Sequence, residues 1–303
     1  MPADLVHPPV CRYAGPRIHL AGGLARLLPA APTPDGMIAG RFSVLSPGTE
    51  RRHLKASNDP GGARDAGYIT VGGDASTGWV LAAVPHGAAF DPSSGGTLTA
   101  PPGTGVQVTA LARFQQMAIL GLEQLPAHTE LDDAVVVGSG PVALGCALEL
   151  CRRGAPRVRV LTSRPHAPIS RVPGVECVTS VSRGSARLVI DAAGRPRRSV
   201  MLLTSGGTLG LLGTPDPGSV LPSLSLHRSG WTVIGMHELT AAATGRYADA
   251  YLAAATWLRW HLDPGLLDDW CRITPGAEAP ALYAGLGGPG QPPEPVVIFS
   301  WEV

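Results

Sequence analysis

Lysine is almost missing from this chain: Lys55 stands alone among basic residues that are otherwise arginine. A GC-rich genome produces that bias, and it calls for no functional cause. Cysteine pairs are missing too. Five cysteines stand at positions 11, 146, 151, 177 and 271. Their odd number and the absence of any C-x-x-C spacing argue against a secreted disulfide framework and against a zinc cluster of closely spaced thiolates. No basic patch is present. The formal net charge is +1, and the arginine pairs at 51–52, 152–153 and 197–198 are scattered, so nucleic acid is not an expected partner. Long apolar runs are lacking as well: the stretch 201–213 is broken by Ser205, Gly206 and Gly207, and a bilayer span needs about 20 apolar residues. Residues 1–15 show no basic region followed by an apolar core, so no secretory leader and no membrane partner are expected, and the expected location is cytoplasmic.

What remains is a chain of 303 residues, 44% hydrophobic, long enough for one large or two ordinary domains. Its 39 glycines and 30 prolines punctuate apolar runs, as in a loop-rich folded protein, and form no low-complexity block. Residues 1–110 read as β-rich, with short apolar runs at 38–45, 68–71, 79–84 and 106–111 between turn residues. At 111–128 the period changes. Leu111, Phe114, Ala118, Leu122 and Leu125 recur at helical spacing. From 133 onward apolar strands (134–137, 158–161, 188–190, 208–212, 231–234) alternate with helical stretches, the pattern of a parallel sheet covered on both faces. A helix is expected over 239–261, with Leu239, Ala243, Tyr247, Ala250, Ala254, Trp257 and Leu258 on one side, and a last strand over 296–301.

The most informative stretch is 135–145. Three valines lead into Gly138, Ser139, Gly140, Pro141, Val142 and Ala143, a G-x-G-x-x-A turn between strand and helix. Gly138 permits the tight turn, Gly140 lets the backbone approach a pyrophosphate, and the small Ala143 allows helix and strand to pack closely. The helix start then offers N–H groups and a positive dipole end to the phosphates. Dinucleotide sites that take NAD carry an acidic residue about 20 positions further on. Here that place reads Thr162, Ser163, Arg164. Two hydroxyls and a guanidinium suit a ribose 2′-phosphate, so NADP(H) is the expected cofactor.

Several further stretches, in order along the chain, resemble the medium-chain dehydrogenase/reductase superfamily. They are similar in particular to its zinc-less branch, which includes bacteriochlorophyllide a dehydrogenase-like proteins. They are Phe42 to Glu50 with its S-x-G-T-E end, Gly67-Tyr68, Gly78 to His86, Leu111 to Phe114, the glycine turn, Asp191 to Gly194, Gly206 to Gly213, and Val296 to Phe299. The resemblance implies an α/β, bilobal fold: a Rossmann doubly wound parallel sheet (111–264) inserted in a GroES-like β-rich domain (1–110 plus 265–303), the active site in the cleft between them. It also implies cofactor contacts at Gly213 and Thr214, and pairing of two copies through the edge strands of their Rossmann sheets.

Zinc-dependent members of the superfamily place a cysteine before Gly-Thr-Asp/Glu and a histidine in Gly-His-Glu. This chain has Pro47 and Tyr68 at those positions, so no metal is expected. The resemblance then puts Thr49, which matches a proton-relaying hydroxyl, together with Tyr68 and His86 forward as catalytic candidates. A turn hydroxyl and packing groups are the plainer roles for them. Glu50 is expected to orient a loop, and Arg113 to meet the cofactor or an acidic group, a salt bridge at the domain junction being the simpler account. These readings imply a metal-independent NADPH-dependent oxidoreductase moving hydride between the nicotinamide and a carbonyl, imine or activated double bond of a small organic substrate, with a role in specialised metabolism. Two others stay open: a non-catalytic NADP-binding sensor or partner protein, and an alcohol dehydrogenase acting on a tetrapyrrole-like ring.

Overall fold

A computed structural model of the chain describes residues 15–164, 166–216, 218–240 and 245–302; Cys11, most of the N-terminal stretch and Ala243 lie outside the described residues. The elements, in chain order, are β1 (Arg17–Ala21), β2 (Leu24–Leu28), β3 (Gly40–Leu45), α1 (Pro47–Ala56), β4 (Arg64–Asp65), β5 (Thr70–Asp74), β6 (Gly78–Ala82), β7 (Leu98–Thr99) and α2 (Val106–Leu122). There follow β8 (Ala134–Val137), α3 (Pro141–Arg152), β9 (Val158–Leu161), β10 (Val175–Val178), β11 (Ala186–Asp191), α4 (Pro196–Ser199), β12 (Leu203–Leu211), α5 (Ser223–Ser229) and β13 (Thr232–Gly235). The last are α6 (Tyr247–His261), α7 (Pro264–Trp270), β14 (Cys271–Pro275), α8 (Ala279–Gly285) and β15 (Val296–Ser300).

The chain divides into two units. The first comprises residues 1–110, 271–292 and 296–303, and the second residues 111–270 and 293–295. In the first unit a three-stranded antiparallel sheet runs β2-β1-β4, and a six-stranded sheet runs β14-β15-β3-β5-β6-β7. The last strand of the chain, β15, lies between β14 and β3, pairing Val297 with Leu45 and Phe299 with Ser43. Its position inside the sheet explains its composition: Val296, Val297, Ile298 and Phe299 are all buried, as a strand covered on both faces requires. Val297 and Phe299 join Ile18, Leu20, Leu45, Leu282 and Tyr283 in one core.

The second unit carries a six-stranded, wholly parallel sheet in the order β10-β9-β8-β11-β12-β13. Numbered within the unit this is 3-2-1-4-5-6, the doubly wound dinucleotide-binding order, with the reversal between β8 and β11. Helix α3 is buried along nearly its whole length. A Cβ on Gly145 would lie 2.4 Å from the Phe114 carbonyl oxygen, so the helix passes against the α2 backbone at a distance only glycine allows. The buried Glu149 on α3 is held by Arg152 at 2.6 and 2.7 Å and by Arg153 at 2.7 Å, which compensates the desolvation of its charge.

Two expectations about elements are corrected, at 106–111 and at the start of the helix expected over 239–261, and two further elements, α1 and β10, had no expectation. The apolar run 106–111 is the first turn and a half of α2 and not a strand, because a short apolar run carries no period long enough to separate the two. The S-x-G-T-E end continues into a helix, α1, with Pro47 in its first turn, where a missing N–H costs nothing. Helix α6 starts at Tyr247, and Leu239, expected on its buried side, is 52% exposed. Strand β10 had no counterpart in the sequence pattern; all four of its residues are at least partly exposed at the sheet edge.

Candidate functional site

In the second unit, the turns at the carboxyl ends of β8, β11 and β12 meet. Gly138 adopts φ +115°, in the region an L side chain rarely enters, and a Cβ there would sit 3.2 Å from the Ala193 Cβ. Asp191 ends β11 and organises the next turn: its backbone carbonyl accepts the Gly213 N–H at 2.7 Å and its Oδ1 accepts the Ala193 N–H at 3.0 Å. Burial lifts the Asp191 carboxyl to about 6, against the pull of the Ala193, Arg195 and Gly194 N–H groups. Gly194 lies against the Thr214 carbonyl. The sites expected at Gly213 and Thr214 are therefore neighbours of the Asp191 turn.

Gly140 behaves differently. It caps α3 in extended backbone, φ −85° and ψ −171°, and a Cβ there would meet nothing within 4 Å. Pro141 follows at the first helical position, and the first helical bond runs from Leu144 N–H to the Gly140 carbonyl. The N–H groups of Val142 and Ala143 thus lie ahead of the helical ladder, where an anion can take them. An open space at a helix start, with backbone donors and no side chain in the way, fits a pyrophosphate.

The end of β9 folds onto this turn. Thr162 Oγ1 donates to Ser139 Oγ at 2.9 Å, the Arg164 N–H donates to Thr162 Oγ1 at 3.1 Å, and Arg164 Nη2 approaches Ser139 Oγ at 3.4 Å. Ser163 is exposed beside them. Four of the residues expected to contact the cofactor are brought together here, with hydroxyls and a guanidinium and no carboxylate of the β9 end among them.

In the first unit the expected catalytic residues border a buried polar cluster. Glu50, on α1, is fully buried, and its Oε1 accepts the Gly67 N–H at 3.1 Å. His86 is fully buried as well; a Cβ on Gly67 would lie 2.5 Å from its ring. Ser43 Oγ accepts the Trp301 indole N–H at 2.8 Å and meets His86 Nδ1 at 2.8 Å. The His86 ring packs edge-on against Phe299. His86 Nε2 is 3.9 Å from Glu50 Oε1, beyond hydrogen-bond reach. Desolvation pushes His86 down to about 3 and Glu50 up to about 7, so at moderately acidic pH the two face each other uncharged. The Tyr283 hydroxyl faces the Glu50 carboxyl, and burial beside that carboxyl raises it well above its usual range.

Thr49 and Tyr68 are the half-buried residues next to this cluster. Thr49 precedes Glu50 on α1, with Ser46 Oγ and Arg52 Nη2 each 3.4 Å from its hydroxyl. Tyr68 follows Gly67, so the Glu50–Gly67 bond ties the two candidate segments together. His86 sits beneath that tie, enclosed among Ser43, Phe299 and Tyr283. Tyr283, more than 230 positions from Glu50, had no signal in the sequence beyond an apolar helical face. Among the described residues no three His, Cys, Asp or Glu side chains converge as ligands, and no helix is long and apolar enough to cross a membrane.

No family model matches the sequence, and no curated protein is similar to it. Solved structures are similar in shape. A protein of Sinorhizobium meliloti 1021 described as a zinc-binding dehydrogenase, bound to NADP, matches with a TM-score of 0.68 at 15% identity, over 94% of this chain and 98% of that one. Galactitol-1-phosphate dehydrogenase from Escherichia coli matches with a TM-score of 0.69 at 15% identity, over 94% and 99% of the two chains. Acetophenone reductase from Geotrichum candidum, in complex with NAD, matches with a TM-score of 0.68 at 10% identity, over 95% and 97%. The chain has the fold of these dehydrogenases: a Rossmann parallel sheet together with a β-rich, GroES-like unit.

Proposed function

We propose that this protein is a metal-independent, NADP(H)-dependent oxidoreductase of the medium-chain dehydrogenase/reductase superfamily. The observation that carries the reading is the convergence of Thr162, Ser139 and Arg164 on the glycine turn, at the reversal point of a 3-2-1-4-5-6 sheet. A nicotinamide bound there supplies hydride chemistry toward a carbonyl, imine or activated double bond. The protein's own groups bind and orient. Val142 and Ala143 N–H groups take the pyrophosphate, Arg164 takes the 2′-phosphate, and Ser139 and Thr162 hold Arg164 in place.

On this reading Thr49 or Tyr68 donates the hydrogen bond that polarises the substrate oxygen, and His86 with Glu50 holds both segments from below. The metal-free assignment rests on donor chemistry: Pro47 has no ligand atom, and Tyr68 is a phenol where an imidazole would be needed.

Titration with NADPH and NADH, with metal analysis of the same sample, tests the assignment. NADPH is expected to bind more tightly. Arg164→Ala is expected to weaken NADPH about 10- to 100-fold and NADH less than twofold, since one charged phosphate contact contributes roughly 1.5–3 kcal/mol. Equal losses for both nucleotides would remove the 2′-phosphate role. NADPH binding without turnover of any carbonyl, imine or enone would favour the sensor reading instead.

A further inference from the structure

We propose that Arg113 and Glu238 form a positioning pair that sets the segment after β13 for the nicotinamide half of the cofactor; this rests on the cofactor reading above. Both side chains are nearly buried, 7% and 15% exposed. The guanidinium makes a two-pronged contact to the carboxylate, Nη1 to Oε2 at 2.5 Å and Nη2 to Oε1 at 2.7 Å. Nη1 also donates to Gln116 Oε1 at 2.8 Å, and the guanidinium lies 5.3 Å over the Tyr247 ring. Gln116 completes the set by donating from Nε2 to the Tyr247 carbonyl at 2.6 Å. One turn of α2 therefore grips both ends of the connection between β13 and α6: Glu238 where it leaves the sheet, Tyr247 where the helix begins.

The start of that connection is packed as tightly. Met236 is buried, and its N–H donates to the Leu211 carbonyl at 3.0 Å. A Cβ on Gly210 would lie 2.3 Å from the Met236 methyl, and one on Gly121 3.1 Å from its Cβ. A doubly wound sheet binds a dinucleotide across two halves. Arg164 marks β8–β10 as the adenosine half, which leaves β11–β13 to carry the nicotinamide, with the backbone around 236–240 at its carboxyl end. A buried ion pair adds little net stability over apolar residues of the same volume, yet it fixes geometry through its forked bonds. The pair is therefore read as serving position.

The test compares NADPH with 2′,5′-ADP, which carries the adenosine and its phosphates without the nicotinamide. In the double variant Arg113→Met with Glu238→Met, the melting temperature is expected to stay within a few degrees and 2′,5′-ADP affinity within twofold, while NADPH weakens about tenfold. Glu238→Gln, which keeps shape and one hydrogen bond, is expected to give a smaller loss in the same direction, and it serves if the double variant does not fold. Unchanged binding of both ligands, or equal weakening of both, overturns the proposal. If the wild-type protein binds neither, the cofactor reading fails and this one with it. If Arg164→Ala loses 2′,5′-ADP while the pair variants leave the NADPH to 2′,5′-ADP ratio untouched, the cofactor reading stands and only the positioning role falls.

Discussion

Gly140→Val is expected to abolish nucleotide binding and leave the fold intact, whereas Gly145→Ala, five positions on, is expected to destabilise the fold and leave the nucleotide affinity of the folded protein unchanged. Gly140 caps the helix that Gly145 lies inside, and the two face different surroundings. Around Gly140 the Cβ direction is open and the backbone is extended, so valine fits at a cost of about 1 kcal/mol for a poorer helix cap. Its methyl groups would fill the space that a pyrophosphate needs. Losing two or more charge-assisted bonds from the Val142 and Ala143 N–H groups lowers affinity by roughly 100-fold or more.

At Gly145 the added methyl meets the Phe114 carbonyl at 2.4 Å and the Gln115 nitrogen at 2.7 Å. Backbone cannot rotate away as a side chain can, and overpacking of this kind costs about 1–3 kcal/mol or more. For a protein of this size each kcal/mol moves the melting temperature by roughly 2–4 °C. Thermal unfolding and NADPH titration on the two variants separate the outcomes. A Gly140→Val protein that binds NADPH normally would remove the glycine turn from the site.

The second large effect is electrostatic. Glu50→Gln is expected to stabilise the protein relative to wild type at pH 8 and much less at about pH 4.5. An unfolded glutamate titrates near 4.5, and burial holds the native Glu50 proton to about 7. Below 4.5 the group is protonated in both states and costs nothing. Between 4.5 and 7 the unfolded chain releases a proton that the native state keeps, so native stability falls as pH rises through this window. Above 7 the full penalty is present, on the order of 3 kcal/mol at 1.36 kcal/mol per pH unit.

His86 works in the opposite direction. Its native value is about 3, so stability is lost as pH falls from 6.5, when only the unfolded chain takes up a proton. In the wild type the two slopes offset one another between 4.5 and 6.5. Removing the Glu50 carboxyl exposes the His86 slope, and stability then rises with pH through that range. Urea unfolding of both proteins at a series of pH values reads the difference directly. A gap between variant and wild type that does not change with pH would mean that Glu50 keeps one charge state throughout.

Local features of this protein were legible before its fold. The strand-turn-helix at Gly138 to Ala143 depends on residues within one turn of each other, and the β9 end at Thr162 to Arg164 follows from the same spacing. Element boundaries were less legible where apolar runs were short, as at 106–111, or where a proline-led helix followed a strand directly, as at Pro47. The Arg113 salt bridge was foreseeable as a type of contact. Its partner, 125 positions away, was not.

Residue chemistry by itself determined that a glycine turn is followed by hydroxyls and an arginine where an acid would select NAD, and that Pro47 carries no donor atom and Tyr68 a phenol. Those statements need only side-chain identity and local backbone geometry. Only the tertiary structure decided that β15 runs between β14 and β3 in the first unit's larger sheet, bringing Phe299 and Trp301 beside His86 and Ser43. It likewise decided that Tyr283 faces Glu50. The physical reason is desolvation: whether a histidine or a carboxyl is charged depends on how completely distant segments exclude water from it, and no local pattern records which segments those are.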